Sequence, residues 1–260
     1  YNVSLGGCGD GDCDDGDVDV NPGVEEVCGN GVDDNCDGID EACVDDEREE
    51  VVEEVINLIP EDYLNYWKFE GDVGGGTISG NPNFGNGISG QAMEFDGVDD
   101  SINFGEIPGI VQTDALTVLF WIKSTTDGSS KIPLGIGSPN GCMGSWDFTT
   151  SYNGRTYFEI IADECGRANF ISSNAYDGTW HQIVGSYDGS KVKLYLDGTL
   201  QDEGETTGLI KPMPYGKTFQ IGSLQGYTYF DGSIDEVLIY NRALTPEEIN
   251  NIYCSQKGIC

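Results

Sequence analysis

The stretch DGTWHQIVGSYDGSKVKLYLDG, residues 177–198, decides the architecture. It holds two alternating runs, Trp180–Tyr187 and Val192–Leu196, with Asp188-Gly189 between them and Asp197-Gly198 after them. Alternation at period two puts one set of side chains on a buried face and the other on a wet one. Asp-Gly pairs supply the left-handed backbone that a tight hairpin turn demands. The segment therefore reads as strand, turn, strand, turn.

Outward from this hairpin the pattern repeats. Ala115–Lys123 (ALTVLFWIK), Thr156–Ile161 (TYFEII) and Ile234–Tyr240 (IDEVLIY) read as further strands. Asp96-Gly97, Asn140-Gly141, Asn153-Gly154 and Asp177-Gly178 are further turn signals. Many strands with little helix predict an all-β sandwich or barrel over residues 61–260. At its end, Thr245–Cys254 (TPEEINNIYC) reads as one short helix, with Thr245 as N-cap and Pro246 in the first turn.

Composition narrows the function. The net charge is −34, so the chain repels nucleic acid and anionic lipid and attracts cations. No apolar stretch reaches the roughly 18 residues of a membrane span. Nine cysteines stand beside one histidine, and no CxxC occurs. That pattern favours disulfides in an oxidising compartment over zinc, with one thiol left unpaired or paired to another chain. A weak glycosylation sequon, Asn2-Val3-Ser4, agrees with secretion. The first residue is Tyr1, and a mature, processed product is expected.

Two smaller regions precede the sandwich. Residues 45–60 carry Val51, Val52, Val55, Ile56, Leu58 and Ile59 on one helical stripe, stopped by Pro60. This predicts a linker helix; a self-association helix is the alternative. Residues 1–44 have almost no aliphatic core. Through Glu54 there are 20 acidic residues against one base, Arg48, a balance of −19. Two carboxylates about 4 Å apart repel by roughly 1 kcal/mol in water and about 4 at an effective dielectric of 20. A compact segment of this kind needs countercharge.

The spacing of the acids says which. Asp33, Asn35 and Asp37 alternate and are followed by Gly38, as in a loop that coils round a cation. Asp10, Asp12 and Asp14 alternate, as do Asp15, Asp17 and Asp19. Hard oxygen donors favour calcium, and the lack of His and Met in this segment weighs against copper. This is not an EF-hand: position twelve would be Val44 and no helix precedes the loop.

Two resemblances sharpen these readings. YWKFEGDVGGG (66–76), GQAMEFDGVDDSINFG (90–105), the hairpin at 177–198 and FDGSIDEVLIYNRALTPEEINNIY (230–253) resemble, in order, motifs of the laminin G-like, concanavalin A-like jelly-roll family. The resemblance implies two packed antiparallel sheets and no single function. It also implies a further calcium on the sandwich, looked for first at Glu70 and Asp235 and then at Asp99 and Asp100. GDCDDGDVDVNPGVEEVCGNGVDDNCDGIDEAC (11–43) resembles the Asp- and Cys-rich metal-binding motif of secreted prokaryotic proteins. That match adds Glu26, Asp40 and Glu41 to the ligand set, although a single Ile39 separates Gly38 from Asp40 where the family commonly has two residues.

Disulfide connectivity does not follow from sequence. The expected pairs are Cys13–Cys28, Cys36–Cys43, Cys142–Cys165 and Cys254–Cys260, leaving Cys8 odd. No catalytic constellation is found. Asp163-Glu164 and Asp235-Glu236 are adjacent pairs that a strand would point to opposite faces, and His181 reads as structural rather than as a base. The expectation is a non-catalytic, extracellular, calcium-binding structural protein of the cell surface, a subunit of a surface layer or filament. The alternative is an adhesin that binds a glycan or protein through exposed aromatics: Trp146, Tyr215, Tyr227 and Tyr229. Against this, Tyr229 and Phe230 could begin a core strand. A glycoside hydrolase is the last alternative.

Overall fold

The computed structural model describes residues 20, 24, 32, 58–125, 131, 133–137, 145–150, 155–163, 165–171, 175–212, 218–224, 226 and 228–259. The chain divides into two compact units, Tyr1–Val55 and Ile56–Cys260. Of the first, three valines are described: Val20 is buried, Val24 half-buried and Val32 exposed.

The second unit is a two-sheet antiparallel sandwich. In chain order its strands are β1 (Asn65–Trp67), β2 (Thr77–Ser79), β3 (Asn83–Asn86), β4 (Gln91–Asp96), β5 (Ser101–Gly105), β6 (Leu116–Lys123), β7 (Leu134–Ile136) and β8 (Trp146–Thr150). There follow β9 (Arg155–Ile161), β10 (Cys165–Ile171), β11 (His181–Tyr187), β12 (Lys191–Leu196), β13 (Thr199–Glu205), β14 (Phe219–Ile221) and β15 (Asp231–Tyr240). One sheet runs β13-β12-β11-β6-β15-β4-β3, with β1 also paired to β15; the other runs β10-β9-β8-β7-β14-β5-β2.

The central hairpin forms as read. Asp197 and Gly198 both have positive φ, 48° and 72°, the type I′ geometry that joins β12 to β13. Alternate residues of each strand enter the inter-sheet core. Phe120 of the first sheet meets Phe148 of the second edge-on at 4.8 Å, and Trp67 packs on Phe219 at 5.4 Å.

Strand β6 is buried on both faces. Leu116, Val118, Phe120 and Ile122 fill the sandwich core. Leu119 faces outward into a second cluster with Leu238, Tyr240, Ile249 and Ile252. The last two belong to helix α1 (Pro246–Lys257), which lies over this sheet. The helix starts at a complete capping box of Thr245 and Glu248 and stops at Gly258 in the left-handed region, φ 69°.

Two expectations are corrected. Leu58 and Ile59 lie outside any helix, because a residue before proline is pushed away from helical backbone; Ile59 instead packs against the outer cluster. The rest of the 45–57 stretch is outside the described residues. Cys254 is a free thiol, so the bridge to Cys260 is not made. Cys254 lies inside α1 and its Sγ faces Asn250 one turn back, at 3.9 Å. Helical side chains lean toward the N-terminus, away from the tail that follows Gly258. Cys8, Cys13, Cys28, Cys36, Cys43, Cys142 and Cys260 lie outside the described residues, as does the side chain of Cys165.

Candidate functional site

The β4–β5 connection, Asp96-Gly97-Val98-Asp99-Asp100, gathers carboxylates. Asp96, Asp99 and Asp100 each offer an oxygen within 4.8 Å of the others, the only such group of three among the described residues. The loop is held in shape by its own acids. Asp96 Oδ1 accepts from the amides of Val98 and Asp99 at 2.8 and 3.4 Å. Buried Asp100 accepts from Asn81 and Asp96 at 2.6 and 3.0 Å. Oxygens on opposite sides of a calcium ion are at most about 5 Å apart, since each bond is about 2.3–2.6 Å. The donor set therefore fits a hard divalent cation. The sequence reading found Asp99 and Asp100 but missed Asp96, although the DGVDD spacing was there to use.

Glu70 and Asp235 meet the same turn instead. Asp235 is fully buried, and its Oδ2 accepts from the amides of Ile88 and Ser89 at 2.9 and 3.4 Å. Glu70 accepts from the Gln91 amide at 3.2 Å. Both carboxylates grip residues 87–91.

At the centre of β15 a bulge lies between Asp235 and Leu238, with Glu236 at φ 51°. The bulge defeats strict alternation, so Asp235 and Glu236 both turn away from the sandwich core. This overturns the expected opposite-face placement. Glu236 accepts from the Tyr66 hydroxyl and from Gln256 Nε2, the latter at 2.9 Å. Gln256 Oε1 in turn accepts from Trp121 Nε1 at 2.7 Å and from Gln182 Nε2 at 3.2 Å. Burial pushes Asp235 up to about 7, helped by the charge of Glu236. Burial likewise raises Glu236, against the hydrogen bond from Tyr66.

A second carboxylate pair is one the sequence could not show. Asp147 of β8 stands directly opposite Glu159 of β9, and Glu159 opposite Arg167 of β10. All three lie on the face of their sheet turned away from Phe148 and Phe158. Glu159 pairs with the Arg167 guanidinium. Thr149 donates to Asp147 at 2.6 Å. Desolvation pushes Asp147 up to about 7, with the charge of Glu159 adding to it. Each carboxylate is only 4% exposed.

His181 is committed at both nitrogens. Nδ1 bonds Asp197 at 2.7 Å, and Nε2 lies 3.2 Å from Asp177 and 3.1 Å from Thr179.

The aromatic candidates fare differently. Trp146 is wholly buried in the sandwich core and donates to the Ile110 carbonyl at 3.0 Å. It is no ligand-stacking surface: between Ser145 and Asp147 it is the inward residue of β8. Tyr229 is half-buried and bridges to Ser223, while Phe230 enters the core. Tyr215 and Tyr227 lie outside the described residues. So do the expected N-terminal ligands Asp10, Asp12, Asp14, Asp15, Asp17, Asp19, Glu26, Asp33, Asn35, Asp37, Asp40 and Glu41.

Comparison with known proteins follows the same division. A family model described as the concanavalin A-like lectin/glucanases superfamily matches residues 96–250, more than half of the chain. A second, labelled copper-binding MopE and described as a metal-binding motif, matches residues 12–42. The sushi, von Willebrand factor type A, EGF and pentraxin domain-containing protein 1 of Rattus norvegicus is 28% identical over 163 residues, which is 57% of this chain and 4% of that protein. Its Mus musculus counterpart is 26% identical over 154 residues, 55% of this chain and 4% of that protein. The chain thus spans about 4% of the length of the curated relatives it matches.

Among solved structures, domain 4 of AbnA is similar. AbnA is a GH43 extracellular arabinanase of Geobacillus stearothermophilus, and the domain was solved with arabinotriose. It matches at a TM-score of 0.60 and 21% identity, covering 74% of this chain and 98% of that one. The receptor-binding domain of botulinum neurotoxin C/D mosaic serotype matches at a TM-score of 0.57 and 17% identity, covering 75% and 51%. These likenesses show the fold.

Proposed function

The chain belongs to the concanavalin A-like lectin/glucanases superfamily, and on that premise we propose that it is a non-catalytic, extracellular, calcium-dependent binding module for carbohydrate. The observation that carries this reading is the sandwich itself, whose likeness covers 98% of a domain solved with an arabinose oligosaccharide. Catalysis is disfavoured by access. Both carboxylate pairs, Asp147–Glu159 and Asp235–Glu236, are at most 4% exposed, whereas a hydrolase must bring both acids to a glycosidic bond. His181, with both ring nitrogens engaged, is a brace for the β12–β13 turn.

Calcium is the cation this reading assigns to Asp96, Asp99 and Asp100 and to the acidic N-terminal motif. Carboxylate and amide oxygens are hard donors. The copper label of the N-terminal family does not suit a segment without His or Met. On the sandwich this reading assigns the ion to the 96–100 loop, where three carboxylates each bring an oxygen within 4.8 Å of the others, rather than to Glu70 and Asp235, which belong to no such group among the described residues. No helix among the described residues is long and apolar enough to cross a membrane.

A structural subunit of a surface assembly is the second reading. Strands β2 and β3 are the ends of their two sheets and expose Ile78 and Phe84, and open edges invite added strands. One preparation separates the two readings. A glycan array probed with the whole chain, with calcium and with chelator, is run beside light scattering of the same sample. Calcium-dependent glycan binding by a monomer supports the module. Assembly without glycan binding supports the subunit.

A further inference from the structure

The two flanks of the sandwich differ. Where β10 and β13 end their sheets, the layers close on each other: a Cβ on Gly204 would run into the Arg167 carbonyl, and one on Gly166 into Thr206. Strands β2 and β3 end the sheets at the other flank, one above the other, joined by the short connection at 80–82. No further strand pairs with either among the described residues. Ile78 stands opposite Ile102, and Phe84 opposite Met93. Directly opposed residues of an antiparallel pair share a face, and Ile102 and Met93 belong to the inter-sheet core. Ile78 and Phe84 are therefore the last core-facing residues of their sheets, yet they are 46% and 38% exposed. The core is open at this flank.

Exposed edges are normally guarded by charge. Strand β13 carries Asp202, Glu203 and Glu205. The β2–β3 edge carries nothing of the kind. Between Asp72 and Glu94 there is no Asp, Glu, Lys or Arg, the longest uncharged run in a chain that is 22% charged. The missing charge selects the partner. A basic partner is drawn to carboxylates and gains nothing from a neutral edge. A second copy carries the same −34, and across a two-fold axis each acid of an edge would face its own image. An uncharged edge is what lets two such chains meet.

We infer that this flank joins two copies of the chain about a two-fold axis, with β3 pairing against β3 of the second copy. The axis stands normal to the sheets, so core-facing residues stay core-facing. Phe84 packs beside its own image, and Ile78 approaches its own in the other layer. Both open cores close at once, and the backbone groups of β3 gain a ladder. Glu94 reaches the seam: it is exposed, and its side chain lies over Gly85 of β3. Apolar and backbone contacts thus hold the pair against a residual repulsion. A two-fold contact closes at two copies. It goes beyond both readings above, since a binding module would gain a second site by it and a surface subunit a fixed pair.

Sedimentation velocity of the whole chain in calcium, over a concentration series, reads the pair. Wild type should pass from monomer to dimer and go no further. Phe84→Asp removes a phenyl from each copy and sets like charges face to face, and should weaken the pair about 100-fold. Glu94→Gln, at an exposed position that leaves the fold alone, removes the repulsion and should tighten it about 3-fold. Leu200→Asp, an exposed site on the closed flank, should change nothing. Added salt should tighten the wild-type pair by screening its acids. A monomer at every concentration overturns the inference and leaves the binding module standing. A dimer that ignores both Phe84→Asp and Glu94→Gln, or that salt dissolves, overturns the β3 interface. Species that keep growing with concentration in wild type but not in Phe84→Asp overturn the closed pair and favour the surface subunit.

Discussion

Asp147 shows what burial does to a single acid. At 4% exposure and opposite Glu159, its carboxyl is pushed up to about 7. The folded protein therefore holds a proton that the unfolded chain releases from about pH 4 upward. The resulting stability is complete below about pH 4 and is lost as pH rises toward 7. Asp147→Asn cannot titrate. Its stability relative to wild type should rise between pH 5 and pH 7, by up to about 1.4 kcal/mol per pH unit, and level off above. Urea unfolding at pH 5, 6, 7 and 8 measures this, and a difference that stays flat over the range refutes it. Asp235, also raised to about 7, adds the same slope to both proteins and cancels in the comparison.

Helix α1 is the element whose attachment the structure explains best. Its apolar stripe, Ile249 and Ile252, lies on Leu119 and Leu238, and Tyr253 stacks on Trp121 at 5.6 Å. Gln256 then closes a polar link that ties Glu236, Trp121 and Gln182 to the helix. Replacing Gln256 by Leu keeps the volume and strands two polar groups of the sheet, the Trp121 indole N–H and the Gln182 side-chain amide, while Glu236 keeps the Tyr66 hydroxyl. Unpaired buried groups cost about 1–3 kcal/mol, and for a domain of this size each kcal/mol moves the melting point by about 2–4 °C. A fall of about 5 °C is expected by calorimetry, with a changed near-ultraviolet signal from Trp121. A variant that melts with wild type would show the link to be dispensable. The far end of the helix is braced separately, where Arg242 bonds both Asp62 and Glu248 and holds both carboxyls below their ordinary range.

At the scale of the whole chain the charge is divided unevenly. The first 54 residues carry a balance of −19, more than half of the total −34. If calcium supplies the missing countercharge, chelator should expose residues 1–44 to protease while the sandwich, with its own apolar core, survives intact. Added calcium should restore protection and copper should not. Mass spectrometry of the fragments gives the answer, and equal protection with and without chelator would sink the calcium assignment for this segment.

Local chemistry was enough to read much of this protein. Alternation marked β6, β9, β11, β12 and β15, Asp197-Gly198 marked a left-handed turn, and Thr245-Pro246 marked the start of α1, because each signal is complete within a few residues. Faces and partners are not local. Trp146 looked like a rim aromatic and is a core residue, since which face of a strand is buried depends on the sheet across from it. Asp147 and Glu159 are twelve positions apart and meet only through the β8–β9 register. The bulge at Glu236 turns two neighbouring acids the same way, which strict alternation forbids. The hollows beside Trp67 and Pro108 are lined by residues of the 64–75 and 104–112 stretches together with Ile136, Pro212 and Phe219. Those segments adjoin only once two sheets have packed and the chain between them has been laid over their ends.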